Sequence, residues 1–298
     1  MNRSNAEALA PEQVPAKAGI PPRFSVHPFF RSKVALTGIF IVLVLCAMAL
    51  FAPVFAPFDP NGVSPADRLM APSMTHFFGT DHLGRDVYSR VVYGARTSIT
   101  VSLLVVAVTA LAGGFLGLIA GYYRRLDVAI MSCMDGLMAF PGILLAIALV
   151  ASLGPSPLNV VIALSIVYTP RVARTVRAST LMVREQVFVE SARALGAYDS
   201  RILARHIFPN CLGAMNVQVT FIFAYAILAE AALSFLGVGA PPPTPSWGNI
   251  LSEGRRFLPI APWMTIYPGF AIMVAVLALN LLGDELRDLI DPRLRATL

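Results

Sequence analysis

The sequence is poor in charged residues and in the residue types that build catalytic and metal sites. Only 13% of the 298 residues are charged, against about 25% in soluble domains. The three cysteines are far apart, and none of the four histidines pairs at a metal-ligand spacing. The G-x-x-x-x-G-K-[ST], H-E-x-x-H and G-x-S-x-G motifs are missing. These absences argue against a disulfide framework, a metal centre, a membrane-embedded enzyme and a chain that hydrolyses ATP by itself.

What the sequence does have is a set of long apolar blocks. Hydrophobic residues make up 56% of the chain, and they occur in runs rather than at amphipathic spacing. A run of about 20 apolar residues is the length that a bilayer-spanning helix needs. No backbone hydrogen bond can stay open in lipid, so we predict an all-α membrane protein with six transmembrane helices. The six blocks are 34–55, 97–122, 130–153, 158–178, 214–238 and 263–283.

The distribution of positive charge predicts how these helices are oriented. With the N-terminus inside, 17 of the 23 lysines and arginines fall in cytoplasmic segments and six in outer ones. Cytoplasmic loops carry the excess of positive charge, so both termini are predicted to be cytoplasmic. The arginines lie between apolar blocks and form no continuous basic face, which argues against nucleic acid as a partner. The predicted division is a cytoplasmic tail (1–33), a first transmembrane helix with an outer segment (34–96), a five-helix core (97–283) and a cytoplasmic tail (284–298).

Two ionisable residues, Asp135 and Glu230, fall inside predicted helices. A charge within the membrane is costly, so each is a candidate contact to a substrate or part of a gate. The alternative is structural: a buried pair, a hydrogen bond between helices, or a position nearer the interface. The residues alone favour the structural role.

Small residues and prolines predict how the helices pack and bend. Gly113, Gly117 and Gly121 recur at four-residue spacing, which lets helices approach closely in lipid. Pro141 and Pro170 lie within predicted spans and are expected to kink them.

The loop after the fourth block is the most informative part of the sequence. Residues 187–195 are good helix formers with an apolar stripe, and Gly196 is suited to end that helix in a left-handed conformation. Asp199 or Ser200 can then cap a second short helix, which Pro209 should end. On residue chemistry alone, this pair could be an interfacial hairpin that only anchors the loop.

The order of residues in this loop resembles the "EAA" motif of ABC-importer permeases. That motif reads Glu-Ala-Ala, three residues, Gly, nine residues, Ile, one residue, Leu-Pro. Here Glu190-Ser191-Ala192 is followed at that spacing by Gly196 and by His206-Ile207-Phe208-Pro209. Ser191 replaces an alanine, and His206 and Phe208 stand at the Ile and Leu positions.

Further motifs extend the resemblance over nearly the whole chain. They are similar to segments of dipeptide, oligopeptide and nickel permeases of the second-subunit type. The matching stretches are 78–86, 93–96, 234–239, 246–248 and 284–293.

The resemblance implies a type I ABC-importer permease fold whose second short loop helix is a coupling helix resting on an ATPase. It implies residues 196–202 as the docking element, with Glu190 and Arg201 as polar contacts. The implied ATPase-coupling residues are Glu190, Ser191, Ala192, Gly196, Ala197, Tyr198, Asp199, Ser200, Arg201, Ile202, His206 and Pro209.

The resemblance also implies partners and a setting. These are a second homologous permease subunit, two ATPase subunits or domains that bind ATP and Mg²⁺, an extracytoplasmic substrate-binding protein, and lipid of the bacterial inner membrane. No cofactor is expected on this chain. The expected solutes are di- or oligopeptides, with nickel complexes, glutathione or another small solute as alternatives. A gradient-driven secondary transporter is the rival of a different class, and it would make the loop at 184–213 dispensable.

Overall fold

The computed structural model describes residues 32–290, with side chains to residue 288. Most of the predicted N-terminal tail and the last eight residues lie outside this range. Within it the chain forms α-helices joined by turns, and its one β-type pairing is an isolated bridge between Thr80 and Asp86. The helices are α1 (Lys33–Leu50), α2 (Ala52–Phe55), α3 (Val87–Tyr122), α4 (Arg124–Met138), α5 (Gly142–Leu153), α6 (Pro157–Arg184), α7 (Val187–Ala194), α8 (Asp199–Ile202), α9 (Phe208–Phe235), α10 (Trp247–Gly254) and α11 (Trp263–Ile290).

Four of the described helices are long and apolar enough to cross a membrane, and a bent pair brings the number to five at most. The four are α1, α3, α11 and the continuous helical stretch that includes α9. The predicted fourth span, α6, has 28 residues, which is about 42 Å of helix, but its arginines lower its hydropathy. The all-helical membrane class is therefore confirmed.

The predicted third span is two helices rather than one. α4 and α5 meet at 89° across a break at residues 139–141. Pro141 lacks an N–H group and disfavours helical geometry at the residue before it, so the chain turns there. By contrast, Pro170 lies inside α6 without interrupting it. Hydropathy alone could not indicate the bend, because the predicted block 130–153 is mostly apolar on both sides of the break.

The second long helix begins ten residues earlier than its apolar block. The side chain of Asp86 accepts a hydrogen bond from the Ser89 N–H at 2.7 Å and caps α3 at Val87. A carboxylate at this position also complements the positive end of the helix dipole. The predicted boundary between the outer segment and the core at 96/97 therefore falls within a helix, and α11 likewise runs to Ile290 through the predicted boundary at 283/284.

The predicted glycine contacts are confirmed in the packing of α3 against α6. A methyl group placed on Gly117 would lie 2.5 Å from the Ala173 carbonyl oxygen, and one on Gly121 would lie 2.5 Å from Thr180 Cβ. The two backbones are close enough that only glycine fits between them. This pair is the most extensive helix contact of the described residues, and α9 packs against both helices.

The bundle has two ends that differ in their loops. At one, called here the loop end, α7 and α8 cover the ends of α3, α6 and α9. At the other, called the clamp end, residues 56–86 and α10 pack around the start of α3.

Candidate functional site

The turn between α7 and α8 has the geometry that the sequence predicts. Gly196 has φ +80°, and a methyl group on it would meet nothing within 4 Å. The Ala197 N–H donates to the Ala192 carbonyl at 3.1 Å and the Gly196 N–H to the Arg193 carbonyl at 3.0 Å. This pair of bonds is the Schellman pattern, which satisfies carbonyls at a helix end. The prediction that Gly196 ends α7 in a left-handed conformation is confirmed.

The predicted cap of α8 is wrong. Tyr198 stands at the N-cap position and makes no capping bond with its side chain. Asp199, one residue later, instead accepts a hydrogen bond from the Tyr122 hydroxyl at 2.6 Å. Arg193 reaches the same hydroxyl at 3.5 Å. These contacts connect both short helices to the end of α3.

The prediction that Pro209 ends the second helix is also wrong. α8 passes through a π-helical turn at Leu203–Ile207 into α9 without a break. The Phe208 N–H donates to the Leu203 carbonyl, five residues back, and Pro209 occupies the first turn of α9. The wider π turn before it makes room for the proline ring, which would clash with a carbonyl in a regular helix interior.

The two faces of the loop differ in burial. Val189, Ile202 and Ile207 are fully buried in a cluster with side chains of α3, α6 and α9. On the other face, Leu195 and Tyr198 are 88% and 83% exposed. The inner face of the loop is therefore firmly packed. Its outer face presents apolar side chains that no described residue covers.

A groove of about 1220 Å³ runs along that exposed face. Its lining includes Val187, Phe188, Leu195, Tyr198 and His206. Most of the predicted coupling residues either line it or lie beside it. Glu190, Ser191, Gly196, Tyr198, Asp199, Ser200, Arg201 and Pro209 are exposed, Ala192, Ala197 and His206 are half-buried, and Ile202 is buried.

The structure does not bring Asp135 and Glu230 together. Asp135 is exposed on α4 and accepts a hydrogen bond from Arg174 at 2.5 Å. Glu230 is 1% exposed on α9, and one of its oxygens accepts a hydrogen bond from the Ser234 hydroxyl at 2.7 Å. Its other oxygen has no partner among the described residues.

Sequence reasoning missed a buried cluster of charges at the clamp end. Asp81 Oδ2 accepts hydrogen bonds from Arg85 and Arg90, both at 2.6 Å. The same arginines donate to Glu253 Oε2 on α10 at 2.5 and 2.6 Å. We call Asp81, Arg85, Arg90 and Glu253 the charge clamp, because it joins residues 56–86 to α3 and α10. The four-residue spacing of Asp81 and Arg85 was a usable signal for an ion pair between them. Nothing in the nearby sequence indicates that Glu253 joins this pair.

The electrostatics of the clamp favour its ionised form. Burial would raise the pKa of Asp81, but Arg85, Arg90 and two backbone N–H donors hold it below its ordinary value. Ligand atoms of Asp81, His82 and Glu253 come within 4.8 Å of one another, a spacing that could suit a metal ion. Both carboxylates, however, already accept hydrogen bonds from the arginines. We therefore assign Asp81 and Glu253 to the charge clamp and not to a metal site.

Comparison with known proteins shows which families this sequence matches. Residues 113–296 match the binding-protein-dependent transport system inner membrane component, and residues 25–72 match the N-terminal transmembrane domain of oligopeptide transport permease C.

Similar proteins cover nearly the whole chain. A protein of Brucella suis named for a peptide transport system permease is 47% identical over 92% of this chain and 97% of its own length. A dipeptide transport system permease protein of Alkalihalophilus pseudofirmus is 45% identical over 89% and 88% of the two chains. A glutathione transport system permease protein of Escherichia coli is 46% identical over 90% and 89%.

These relatives are transport permeases rather than enzymes. The matching family consists of inner membrane components, and several helices of this chain are apolar enough to span a bilayer, so it is a multi-pass membrane protein. Its family model covers more than half of the sequence. The chain belongs to the family of binding-protein-dependent transport system inner membrane components.

Proposed function

We propose that this chain is a permease subunit of an ATP-driven importer for di- or oligopeptides. It pairs with a second permease, takes energy from two ATPase subunits or domains, and receives solute from an extracytoplasmic binding protein. The observation that carries the proposal is the loop between α6 and α9, whose inner face is buried and whose outer face is apolar and exposed. Family membership and the names of the relatives support the same machinery.

The exposed face of the loop is the ATPase docking surface in this proposal. The loop is then cytoplasmic, both termini are cytoplasmic, and α6 together with the bent α4–α5 pair completes six membrane segments. ATP and Mg²⁺ bind to the partner ATPases, and this chain contributes no catalytic group. Arg184 at the end of α6 and the arginines of the loop agree with that orientation.

Movement of the ATPases reaches the bundle through two connections. α8 is continuous with α9 through the π turn, so displacement of the loop moves α9 with it. Asp199 binds Tyr122, which couples the same displacement to α3. Rigid helices that meet at the loop suit a change between inward-open and outward-open states.

The predicted pathway residues receive different roles. Asp135 is exposed in an ion pair and belongs to the solute pathway or to its wall against the second permease. Glu230 holds α9 in place, close to the hydroxyls of Ser98 and Ser246 as well as Ser234.

Glutathione is a second candidate solute, because a glutathione permease is as similar to this chain as the dipeptide permease. Glutathione is itself a modified tripeptide. Competition between labelled dipeptide and unlabelled glutathione for uptake separates the two solutes.

The docking surface is tested by Leu195→Glu. Leu195 is 88% exposed, so the change should alter folding by no more than about 0.5 kcal/mol. We expect loss of the co-purifying ATPases and of ATP-dependent peptide uptake in proteoliposomes. The matched control is Met74→Glu, at the clamp end and 93% exposed, which should keep the ATPases. A Leu195→Glu complex that retains its ATPases and transports normally would contradict the proposal.

A further inference from the structure

α6 carries three arginines at three-residue spacing, and two of them have carboxylate partners. Arg174 donates to Asp135 at 2.5 Å. Arg177 binds Asp127 through two nitrogens, at 2.5 and 2.6 Å. Arg171 makes no ion pair with any side chain that the structure describes.

Arg171 is instead held by two aromatic rings. Its guanidinium carbon lies 5.7 Å from the ring centre of Tyr168 and 5.3 Å from that of Tyr225. Cation–π contacts of this kind hold a guanidinium in place through its face. They leave its N–H donors at the edge available, and those donors match the two oxygens of a carboxylate.

The position of Arg171 midway along α6 argues against contact with lipid. It lies 14 residues after Pro157 and 13 before Arg184, so about 20 Å of helix separates it from either end of α6. A charged side chain that faces hydrocarbon at mid-helix costs about 3 kcal/mol or more. An exposed arginine there belongs on a water-filled pathway or against an anionic group.

A cavity adjoins this arginine where α4 and α5 bend. It has a volume of about 220 Å³, and Phe140, Leu164, Tyr168 and Arg171 are among its lining residues. Pockets that enclose a whole small ligand measure about 300–1,000 Å³. This cavity is therefore suited to one end of a solute.

We propose that Arg171, held by Tyr168 and Tyr225, binds the terminal carboxylate of the solute during transport. A peptide ends in a carboxylate, and an uncompensated guanidinium can donate two parallel hydrogen bonds to it. The inference rests on the proposed function and adds a contact on this chain that selects solutes bearing a free carboxylate. The competing occupant is a carboxylate of the second permease.

The test uses the complete complex in proteoliposomes, with ATP inside and binding protein outside. The binding protein is loaded to equal occupancy with a labelled tripeptide or with the same tripeptide as its C-terminal amide. The readout is the ratio of initial uptake rates, acid over amide. The variants are Arg171→Gln and Arg171→Lys, and the matched control is Arg177→Gln, six residues further along α6.

We expect Arg171→Gln to lower uptake of the acid about tenfold while amide uptake changes little, so that the ratio falls towards one. Arg171→Lys keeps the positive charge but cannot donate two parallel hydrogen bonds, so it should give an intermediate ratio. This variant also tests the proposal if the Gln variant does not assemble. Arg177→Gln, whose partner is Asp127, should leave the ratio as in the wild type.

Three results would overturn the proposal. One is an equal fall for both peptides, as expected for a contact with the second permease. The others are unchanged uptake rates of both peptides in the Arg171 variants and a wild-type ratio near one. A wild-type complex that takes up neither peptide would contradict the proposed function as well, which distinguishes that failure from the other three.

Discussion

Gly196 and Gly84 both have a left-handed backbone, but different constraints act on them. Gly196 has φ +80° in open space, so only the backbone conformation disfavours a side chain there. Gly84 has φ +77°, and a methyl group on it would lie 1.8 Å from the Ser64 carbonyl oxygen. Substitution at Gly196 therefore tests the turn itself, without a clash against the rest of the fold.

Gly196→Val should uncouple the loop without unfolding the bundle. A β-branched residue in the left-handed region costs at least about 1–2 kcal/mol, which α7 and α8 relieve by changing their relative angle. We expect ATP-dependent uptake to fall at least about tenfold. The measurement is uptake at matched amounts of assembled complex.

Gly196→Asn is the matched control, because asparagine tolerates the left-handed region. It should retain most of the uptake. Equal activity of the Val and Asn variants would show that this turn does not transmit the movement.

Some of these residue roles could be predicted from the sequence and others could not. The Gly196 turn depends on neighbours in the chain, so its geometry followed from local rules. The role of Asp199 did not follow from local rules, because its carboxylate accepts a hydrogen bond from the Tyr122 hydroxyl, 77 residues away in the chain, instead of capping α8. The clamp pairs Arg90 with Glu253 across 163 residues, a separation at which a single sequence carries no pairing signal.

Between helices, the contact of α3 with α6 depends on glycine at particular positions. A methyl group on Gly117 would meet backbone, namely the Ala173 carbonyl at 2.5 Å. One on Gly114, on the same helix, would meet only the sulfur of Met215 at 3.3 Å. Backbone cannot yield locally, whereas the end of a methionine side chain can.

Gly117→Ala should therefore destabilise the subunit, by about 1–3 kcal/mol, because the two helices must separate. Gly114→Ala should be close to neutral. Thermal unfolding of the detergent-purified complex measures both. A Gly117→Ala variant as stable as Gly114→Ala would mean that the helices are not packed as described.

The charge clamp joins separate segments in a different way, through buried ion pairs. Arg90 is 1% exposed and touches both Asp81 and Glu253, so its removal leaves two acidic groups with Arg85 alone. Breaking such a cluster leaves uncompensated buried charge.

We expect Arg90→Met to lower stability by about 3–5 kcal/mol. The matched control is Arg256→Met, at the same end but exposed, with an expected change within about 0.5 kcal/mol. The comparison again uses thermal unfolding of the purified complex. Equal unfolding temperatures for the two variants would show that the charge clamp does not stabilise the fold.

The existence of the long helices could be predicted from the sequence, whereas the bends and continuous passages between them could not. Each apolar block falls mainly in helix, although the third is divided between α4 and α5, since a long apolar run in lipid has few alternatives. The bend between α4 and α5 and the continuity of α8 with α9 depend on how two prolines are accommodated. Pro141 interrupts its helix and Pro209 does not, because Pro209 follows a widened π turn that makes room for its ring.

For the molecule as a whole, three regions account for the proposed transport role. In the proposal, the loop end presents an anchored apolar surface to the ATPases, Arg171 lies midway along α6, and the charge clamp holds the opposite end together. The energy for transport comes, in the proposal, from the partner ATPases.

Purification of the tagged chain from gently solubilised native membranes tests this account most directly. The proteins that co-purify are identified and their stoichiometry is measured. The account predicts one copy of this chain with one second permease and two ATPase subunits or domains, and loss of the ATPases in Leu195→Glu. A chain that purifies alone and still transports peptide in response to an ion gradient would contradict it.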